Sequence, residues 1–560
     1  MFDPKKKLSV AFLWHMHQPF YKDTVTGEYL MPWVRLHGVK DYYPMAALVE
    51  NFTDIKATFN MVPSLVEQID DYARNDASDL FLELSKKKAS GLSSEERCAV
   101  IRDFFHVNFK QFIEPSARYL ELYMKRGDKP VTPAMLKNAA KRLTDQDLLD
   151  LQVLFNLAWF HSISIEEDIN LKDIISKRES FTEEDKEYVL DRQKDILSQI
   201  IPLYRKLLDD GRIDITTTPY YHPILPLLCD TEIAAISLPG RELPKRRFKH
   251  PEDALWQIES AIRYHTLQFG QAPVGMWPSE GSVSDETLDI AMSKGIRWIA
   301  TDEDILFRSL SSYDRKYHGV TDFDRRIIYR PYRYAKGRKD ISVIFRDKNI
   351  SDIVSFNYNE WNQDEAAWDL MSHFKRVAEN LRRDTDRGLL TIAMDGENAW
   401  EFFQDNGRRF FEVLYANLDK QEDVCSSTIS EFLSIEPPKR QISNIFPGSW
   451  INHNFDIWIG QEQDNISWGY LDAVRRDLVK FTKELERSQE TDRARLDAAW
   501  KEFYISEGSD WNWWYEGQAH AGNKNPFDKV YRAHLKNVYK ILKKPAPEFL
   551  KESINEKRKA

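Results

Sequence analysis

Seven short apolar runs, each closed by polar or ionisable residues, set the strongest limit on how this 560-residue chain folds. They are Leu8–Trp14, Ile55–Phe59, Ile213–Thr218, Val274–Trp277, Trp298–Ala300, Ser342–Phe345 and Leu389–Met394. Strands buried on both faces have this pattern. Helical patterns lie between most of them. Glu252–Phe269 ends at Gly270, Asp285–Lys294 follows Ser284 and stops at Gly295, and Asp364–Arg383 is a third. Strand and helix alternating in this way imply a parallel sheet with helices outside. The expected fold class is α/β: an incomplete seven-stranded parallel (β/α) barrel with a helical insertion and a C-terminal α-helical domain.

The gap between the second and third runs is too long for one connection. It carries its own helix starts, Ser93-x-x-Glu96 and Thr144-x-x-Asp147, with Leu148, Leu151, Leu154, Leu157 and Ala158 at helical spacing. About residues 65–208 are therefore expected to form an inserted helical region. After about residue 405 the strand signals fade, and Glu462–Arg487, Asp492–Phe503 and Phe527–Lys543 are amphipathic. The expected domains are residues 1–404, the barrel, and residues 405–560, a helical domain that contributes to the active-site cleft. The stretch from Pro545 to Ala560 is rich in Lys and Glu and reads as a solvated tail.

The 89 acidic and 79 basic residues give a net charge of −10, which gives no sign of nucleic acid as a partner. Cys98, Cys229 and Cys425 are odd in number and widely spaced, so no disulfide framework or CxxC zinc signature is possible. The basic patch Lys5–Lys7 precedes an apolar run, but that run is short, is broken by His15 and His17, and has no cleavage site after it. No stretch approaches the roughly 20 apolar residues of a membrane span. A cytoplasmic protein is expected, with no membrane association. The 16 Trp, 24 Tyr and 31 Phe supply many flat faces of the kind that stack on sugar rings, although most belong in a core.

Polar residues follow the C-terminal ends of all seven runs. In chain order they are His15-Met-His17-Gln18, Asn60, Tyr221-His222, Ser279-Glu280, Asp302-Glu-Asp304, Arg346-Asp347 and Asp395-Gly-Glu397. In a parallel barrel those ends converge on one face, where loops build the active site. Cleavage of an acetal needs one carboxyl to protonate the leaving oxygen and a second to attack carbon or activate water. Glu280 and Asp395 are the candidates. An Asp at the end of the apolar strand Leu389–Met394 is costly unless its surroundings support it, and such surroundings raise a pKa as a general acid requires. Glu280 could equally be a surface loop carboxylate, and Asp395-Gly396 a simple turn. Glu397 reads as a supporting carboxylate. His15 and His17 alternate onto one side of an extended segment. With His222 they could hold a divalent metal or donate to sugar hydroxyls. Trp450, and Trp513 or Trp514 in the run Asp510-Trp-Asn-Trp-Trp-Tyr515, sit among loop residues where they could stack on a sugar.

The assembled motifs resemble family 57 of the glycoside hydrolases over nearly the whole chain. His15-Met-His-Gln-Pro19 is similar to that family's first motif, and Gly211-Arg-Ile-Asp-Ile through Tyr221-His222-Pro-Ile-Leu-Pro226 to its second. Trp277-Pro-Ser-Glu280 resembles the third and Met394-Asp395-Gly-Glu397 the fourth. The third motif departs from the commoner Trp-x-Pro-Glu, and the fifth has its best match near Ser430-Glu431 or Trp450. The resemblance implies a seven-stranded (β/α) barrel with a helical domain, a retaining mechanism on α-linked glucans, and no catalytic metal or cofactor. It makes Glu280 the nucleophile and Asp395 the general acid/base.

On that basis the expected function is α-amylase-like hydrolysis of α-glucans or maltooligosaccharides by double displacement. A 4-α-glucanotransferase or branching enzyme would use the same carboxylates. A retaining pair lies roughly 5–5.5 Å apart. His15, His17, Gln18, His222, Trp277, Glu397, Trp450, Trp513 and Trp514 are the expected substrate-binding residues, with Trp277 and one of Trp513 or Trp514 stacking on the sugar. Two other readings compete. One is a metal-dependent deacetylase- or mannosidase-like hydrolase with His15, His17, Asp41 and His222 as ligands. The other is a non-catalytic glucan-binding protein.

Overall fold

The computed structural model describes residues 6–127, 131–397, 400–418, 420–487, 493–515 and 525–555. All seven expected strands form. They are β1 (Leu8–Met16), β2 (Ala57–Met61), β3 (Ile213–Thr216), β4 (Gly275–Met276), β5 (Trp298–Asp302), β7 (Lys339–Arg346) and β8 (Gly388–Asp395), with a further strand, β6 (Tyr332–Lys336), before β7. β1 pairs in parallel with β2 on one side and with β8 on the other, β2 pairs with β3, and β5 pairs with β4 and β7. A single bridge between Thr217 and Met276 links β3 to β4, and one register pair, Arg346 with Thr391, links β7 to β8. The seven parallel strands therefore form a nearly closed barrel.

Alternation along the strands separates two apolar layers. Ala11, Leu13, Trp298, Ala300, Ile344, Leu389 and Ala393 point into the barrel with Trp277, and Ile429 and Phe432 plug its lower end. Val10, Phe12 and Trp14 point outward to the surrounding helices. Gly275 has a steric reason: a Cβ there would stand 1.9 Å from the Trp298 ring.

Three strands lie outside the seven runs. β6 is antiparallel to β7 across a turn at Gly337, and β9 (Val424–Ser426) and β10 (Arg440–Ile442) pair in parallel with β1 and β6. The sheet thus extends past residue 404. β9 and β10 are three residues each, too short for a periodic signal, and β6 lies between β10 and β7 with exposed Arg333 and Lys336.

Between β2 and β3 the chain is helical, from Pro63–Arg74 to Glu183–Asp209. Ser93 with Glu96 and Thr144 with Asp147 form full capping boxes, as expected. The helices Glu462–Arg487, Arg493–Ser506 and Asn525–Ile541 follow the barrel. They are tied to it by Arg475, which donates from Nε to Asp253 at 2.6 Å, and by Gln257, which donates to Glu507 at 2.8 Å. The tail expectation needs correction. Leu550 and Ile554 are fully buried, and Arg532 donates to the Leu550 carbonyl, so two apolar residues anchor a segment whose composition alone suggested solvent. Among the described residues, no helix is long and apolar enough to cross a membrane.

Candidate active site

The register of β1 builds the floor of the site. His15 pairs with Asn60 of β2 on one side and with Asp395 of β8 on the other, so three polar residues share one rung at the strand ends. His15 is buried and its Nδ1 lies 2.6 Å from Asn60 Oδ1. Its Nε2 lies 3.1 Å from His222 Nε2, and His222 Nδ1 lies 2.8 Å from Ser509 Oγ. Burial, then the neighbouring His17, pushes His15 down to about 3, and burial followed by His17 and His15 holds His222 well below the usual histidine range. Both rings are neutral at pH 7. With Asn60 Oδ1 as acceptor, His15 Nδ1 donates to Asn60. His222 Nε2 then donates to His15 Nε2, and Ser509 donates to His222 Nδ1.

His17 stacks on His222 with ring centroids 3.9 Å apart, and its Nε2 is 2.7 Å from Asp510 Oδ1. One donor atom from each of His17, His222 and Asp510 lies within 4.8 Å of the others, so these three could hold a cation. Asp41 does not join them. It accepts from His37 Nδ1 at 2.7 Å, which removes it from the proposed metal set, and Asp510 occupies the place assigned to it.

Glu280 sits in the short turn Ser279–Gly281 with φ of +56°, and His222 has φ of +59°. The left-handed region is costly for residues with a Cβ, and such strain collects at functional sites. Thr301 Oγ1 donates to the Gly281 carbonyl at 2.6 Å, and the Trp450 backbone N–H donates to the Glu280 carbonyl at 2.9 Å. The Trp450 indole Nε1–H donates to Glu280 Oε2 at 2.8 Å. Burial pushes the Glu280 carboxyl up to about 8; the Trp450 hydrogen bond opposes this, and the charges of Asp395 and Asp510 add to it. The two candidate carboxyls thus sense each other across the barrel mouth.

Asp395 is the last residue of β8, and the following Gly396 N–H donates to the His15 carbonyl at 2.8 Å. Glu397 is buried, and its pKa is pushed well up by burial and then by Asp395 and Asp41. Gln18 Nε2 reaches this carboxyl at 3.4 Å, while Gln18 Oε1 accepts from Tyr21 at 3.1 Å. Gln18 is buried with both ends of its amide engaged, so it braces Glu397 instead of facing the cleft.

The tryptophans divide. Trp450 covers Glu280, and its ring meets Trp277 edge-on at 5.2 Å. Trp277 is 1% exposed, which corrects its expected role as a sugar platform: it packs beneath Trp450 and Gly281 and has no free face. Trp514 stacks on Phe527 at 4.2 Å, and half-buried Trp513 lies 6.1 Å from Trp458. Of the alternative fifth-motif segments, Ser430 accepts from Trp298 Nε1 and Glu431 pairs with Lys56, at the lower end of the barrel and away from Glu280.

Ser509 and Asp510 were not singled out from sequence, because no local pattern ties residue 510 to residue 17. A signal existed in Gly508-Ser509-Asp510, a glycine break between two helical runs. A Cβ on Gly508 would stand 2.8 Å from the Tyr221 carbonyl, so the break marks close approach of the helical region to the loop bearing His222.

Comparison with known proteins agrees with this geometry. The model of glycosyl hydrolase family 57 matches residues 11–444. A curated relative, the 1,4-alpha-glucan branching enzyme of Thermococcus kodakarensis, is 21% identical over 375 residues, covering 58% of this chain and 53% of that enzyme. The matched part thus spans about half the length of the curated relative. The crystal structure of that branching enzyme superposes with a TM-score of 0.59 at 16% identity, over 95% of this chain and 90% of the other. The alpha-amylase AmyC from Thermotoga maritima superposes with a TM-score of 0.56 at 13% identity, over 97% and 95%. At these identities the structural likeness speaks for the fold, and the family match extends over both candidate carboxylates. The chain belongs to glycosyl hydrolase family 57.

Proposed function

We propose that this chain is a retaining α-glucan-active enzyme, of α-amylase-like hydrolytic type, with Glu280 as nucleophile and Asp395 as general acid/base. The observation that carries the reading is the coupled pair: Glu280 is held by the Trp450 indole and feels the charge of Asp395 from the facing strand end. The charge of Asp395 adds to burial in favouring a protonated Glu280. Burial favours the protonated form of Glu280 in the free site. Catalysis uses the other arrangement, with Glu280 ionised and Asp395 protonated. The Trp450 N–H supports it, as does the positive charge that develops on the sugar ring.

Glu280 attacks C1 while Asp395 gives its proton to the departing glycosidic oxygen. Asp395, now ionised, takes a proton from water, whose oxygen attacks C1 and releases Glu280 with retained configuration. His17, backed by the buried His222 ring, orients the sugar before the cut, with Trp450 along one side. The helical region that follows β10 completes the cleft through Ser509 and Asp510. Cys98, Cys229 and Cys425, none of them in a disulfide, suit a reducing, cytoplasmic setting.

Product analysis from maltoheptaose tests the function. Shorter maltooligosaccharides from wild type, and none from Glu280→Gln or Asp395→Asn, support hydrolysis. Products longer than the substrate assign glucan transfer or branching instead, branching being the activity named for the Thermococcus kodakarensis relative. Undiminished turnover by Glu280→Gln rejects the carboxylate pair.

A further inference from the structure

Arg346 is the polar residue at the end of β7, and the proposed reaction gives it no role. Its contacts nevertheless reach both carboxylate-bearing elements. Its guanidinium carbon lies 4.8 Å over the Trp450 ring, the same indole whose N–H donates to Glu280 at 2.8 Å. Its Nε donates to Asp302 of β5 at 2.7 Å, with both side chains buried. Its Nη1 donates to the carbonyl of Ala393, two residues before Asp395, at 3.2 Å. Asp352, at 3.6 Å, is the other acid facing it.

We infer that Arg346 is a positioning residue for Glu280, acting through the Trp450 indole. The physical argument has two parts. A planar guanidinium fixed by Asp302 and by β8 gives the Trp450 ring a flat charged surface that sets its tilt, and hence where Nε1–H points. A cation over the π face also draws electron density from the indole, so its N–H becomes a stronger donor. A stronger donor favours the ionised form of the carboxylate that accepts from it. The acids facing Glu280 are Asp395 from β8 and Asp510 from the helical region, and both work against that ionised form. His453, on the same loop as Trp450, is occupied with Asp304. The inference rests on Glu280 being the nucleophile proposed above.

The test titrates the Glu280 carboxyl directly by infrared difference spectroscopy, using Glu280→Gln to assign its band. Because Arg346→Met alone strands a buried Asp302, the working variant is Arg346→Met with Asp302→Asn. The Glu280 midpoint is expected to move up by about one pH unit in that variant and also in Trp450→Phe. Adding Trp450→Phe to the working variant should move it no further than Trp450→Phe alone. Arg346→Lys, which keeps a cation over the ring, should restore most of the shift. With maltoheptaose, kcat should fall while KM stays near the wild-type value. An unchanged midpoint in the working variant overturns the inference, and so does a fully additive shift when Trp450→Phe is included. If the midpoints move as expected but wild type does not turn over maltoheptaose, the inference about Glu280 stands and the proposed function fails.

Discussion

His17 Nε2 lies 2.7 Å from Asp510 Oδ1, although 493 residues separate the two along the chain. One comes from the end of the first barrel strand and the other from the helices that follow the barrel. The contact fixes the ring that stacks on His222. Asp510→Ala should therefore release His17 and misplace the sugar. A displacement of this kind costs on the order of 10²-fold in kcat/KM. Asp510→Asn, which keeps an oxygen acceptor, should lose less. Steady-state kinetics on maltoheptaose check both, with circular dichroism to confirm folding.

The coupled carboxyls predict a pH profile. Activity needs one proton in the pair, on Asp395. With Glu280 pushed up to about 8, the pair keeps its last proton up to that pH and loses it above. Once both carboxyls are ionised no acid remains to protonate the leaving oxygen. The alkaline limb of kcat/KM should therefore fall with an apparent pKa near 8 and belong to the pair. A limb unaffected up to pH 10 would contradict this.

The same burial predicts a stability cost. Glu280 has an ordinary pKa of 4.5 and a folded value of about 8. Between those values the unfolded chain has released a proton that the folded chain still holds, so stability falls as pH rises through that window. Glu280→Gln removes the penalty while keeping the shape. Its side chain is partly exposed, so the expected gain at pH 8 is a discounted about 1–3 kcal/mol. Thermal melts at pH 5 and pH 8 should show the variant gaining on wild type mainly at the higher pH.

Chelator should leave activity unchanged. The cluster of His17, His222 and Asp510 has the donor atoms of a cation site, so the outcome is informative. In the hydrogen-bonded chain through Ser509, His222 and His15, however, His222 Nε2 is committed to His15 and its Nδ1 to Ser509. Kinetics after exhaustive dialysis against EDTA provide the check. Loss of activity restored by a divalent metal would move the chemistry to the histidines.

The strands were legible in the sequence where burial acts on both faces. Leu389–Met394 and Leu8–Trp14 have almost no other reading, because a parallel barrel buries inward and outward side chains alike. β9 and β10 were not legible, since three residues carry no period. At the site, strand-end register brought His15, Asn60 and Asp395 together as the pattern implied. The left-handed backbone at Glu280 was hidden: such a conformation is normally assigned to glycine, and Gly281, itself left-handed, gives no sign that the residue before it is so too. The motif of Trp277 suggests a platform because it lies at the cleft, but whether a ring faces solvent or core depends on what packs over it. Here that is Trp450, 173 residues further along the chain. Asp510 was out of reach for the same reason: long-range contacts leave no local trace.

The most direct test of the central claim is covalent trapping. A 5-fluoro-α-glucosyl fluoride should form a glycosyl-enzyme that turns over slowly, and peptide mass spectrometry should place the adduct on the peptide containing Glu280. Glu280→Gln should not label, whereas Asp395→Asn should still label with this activated leaving group, because the fluoride needs no acid to depart. An adduct on Asp395, or turnover of maltoheptaose with inverted configuration in the product, would contradict the account.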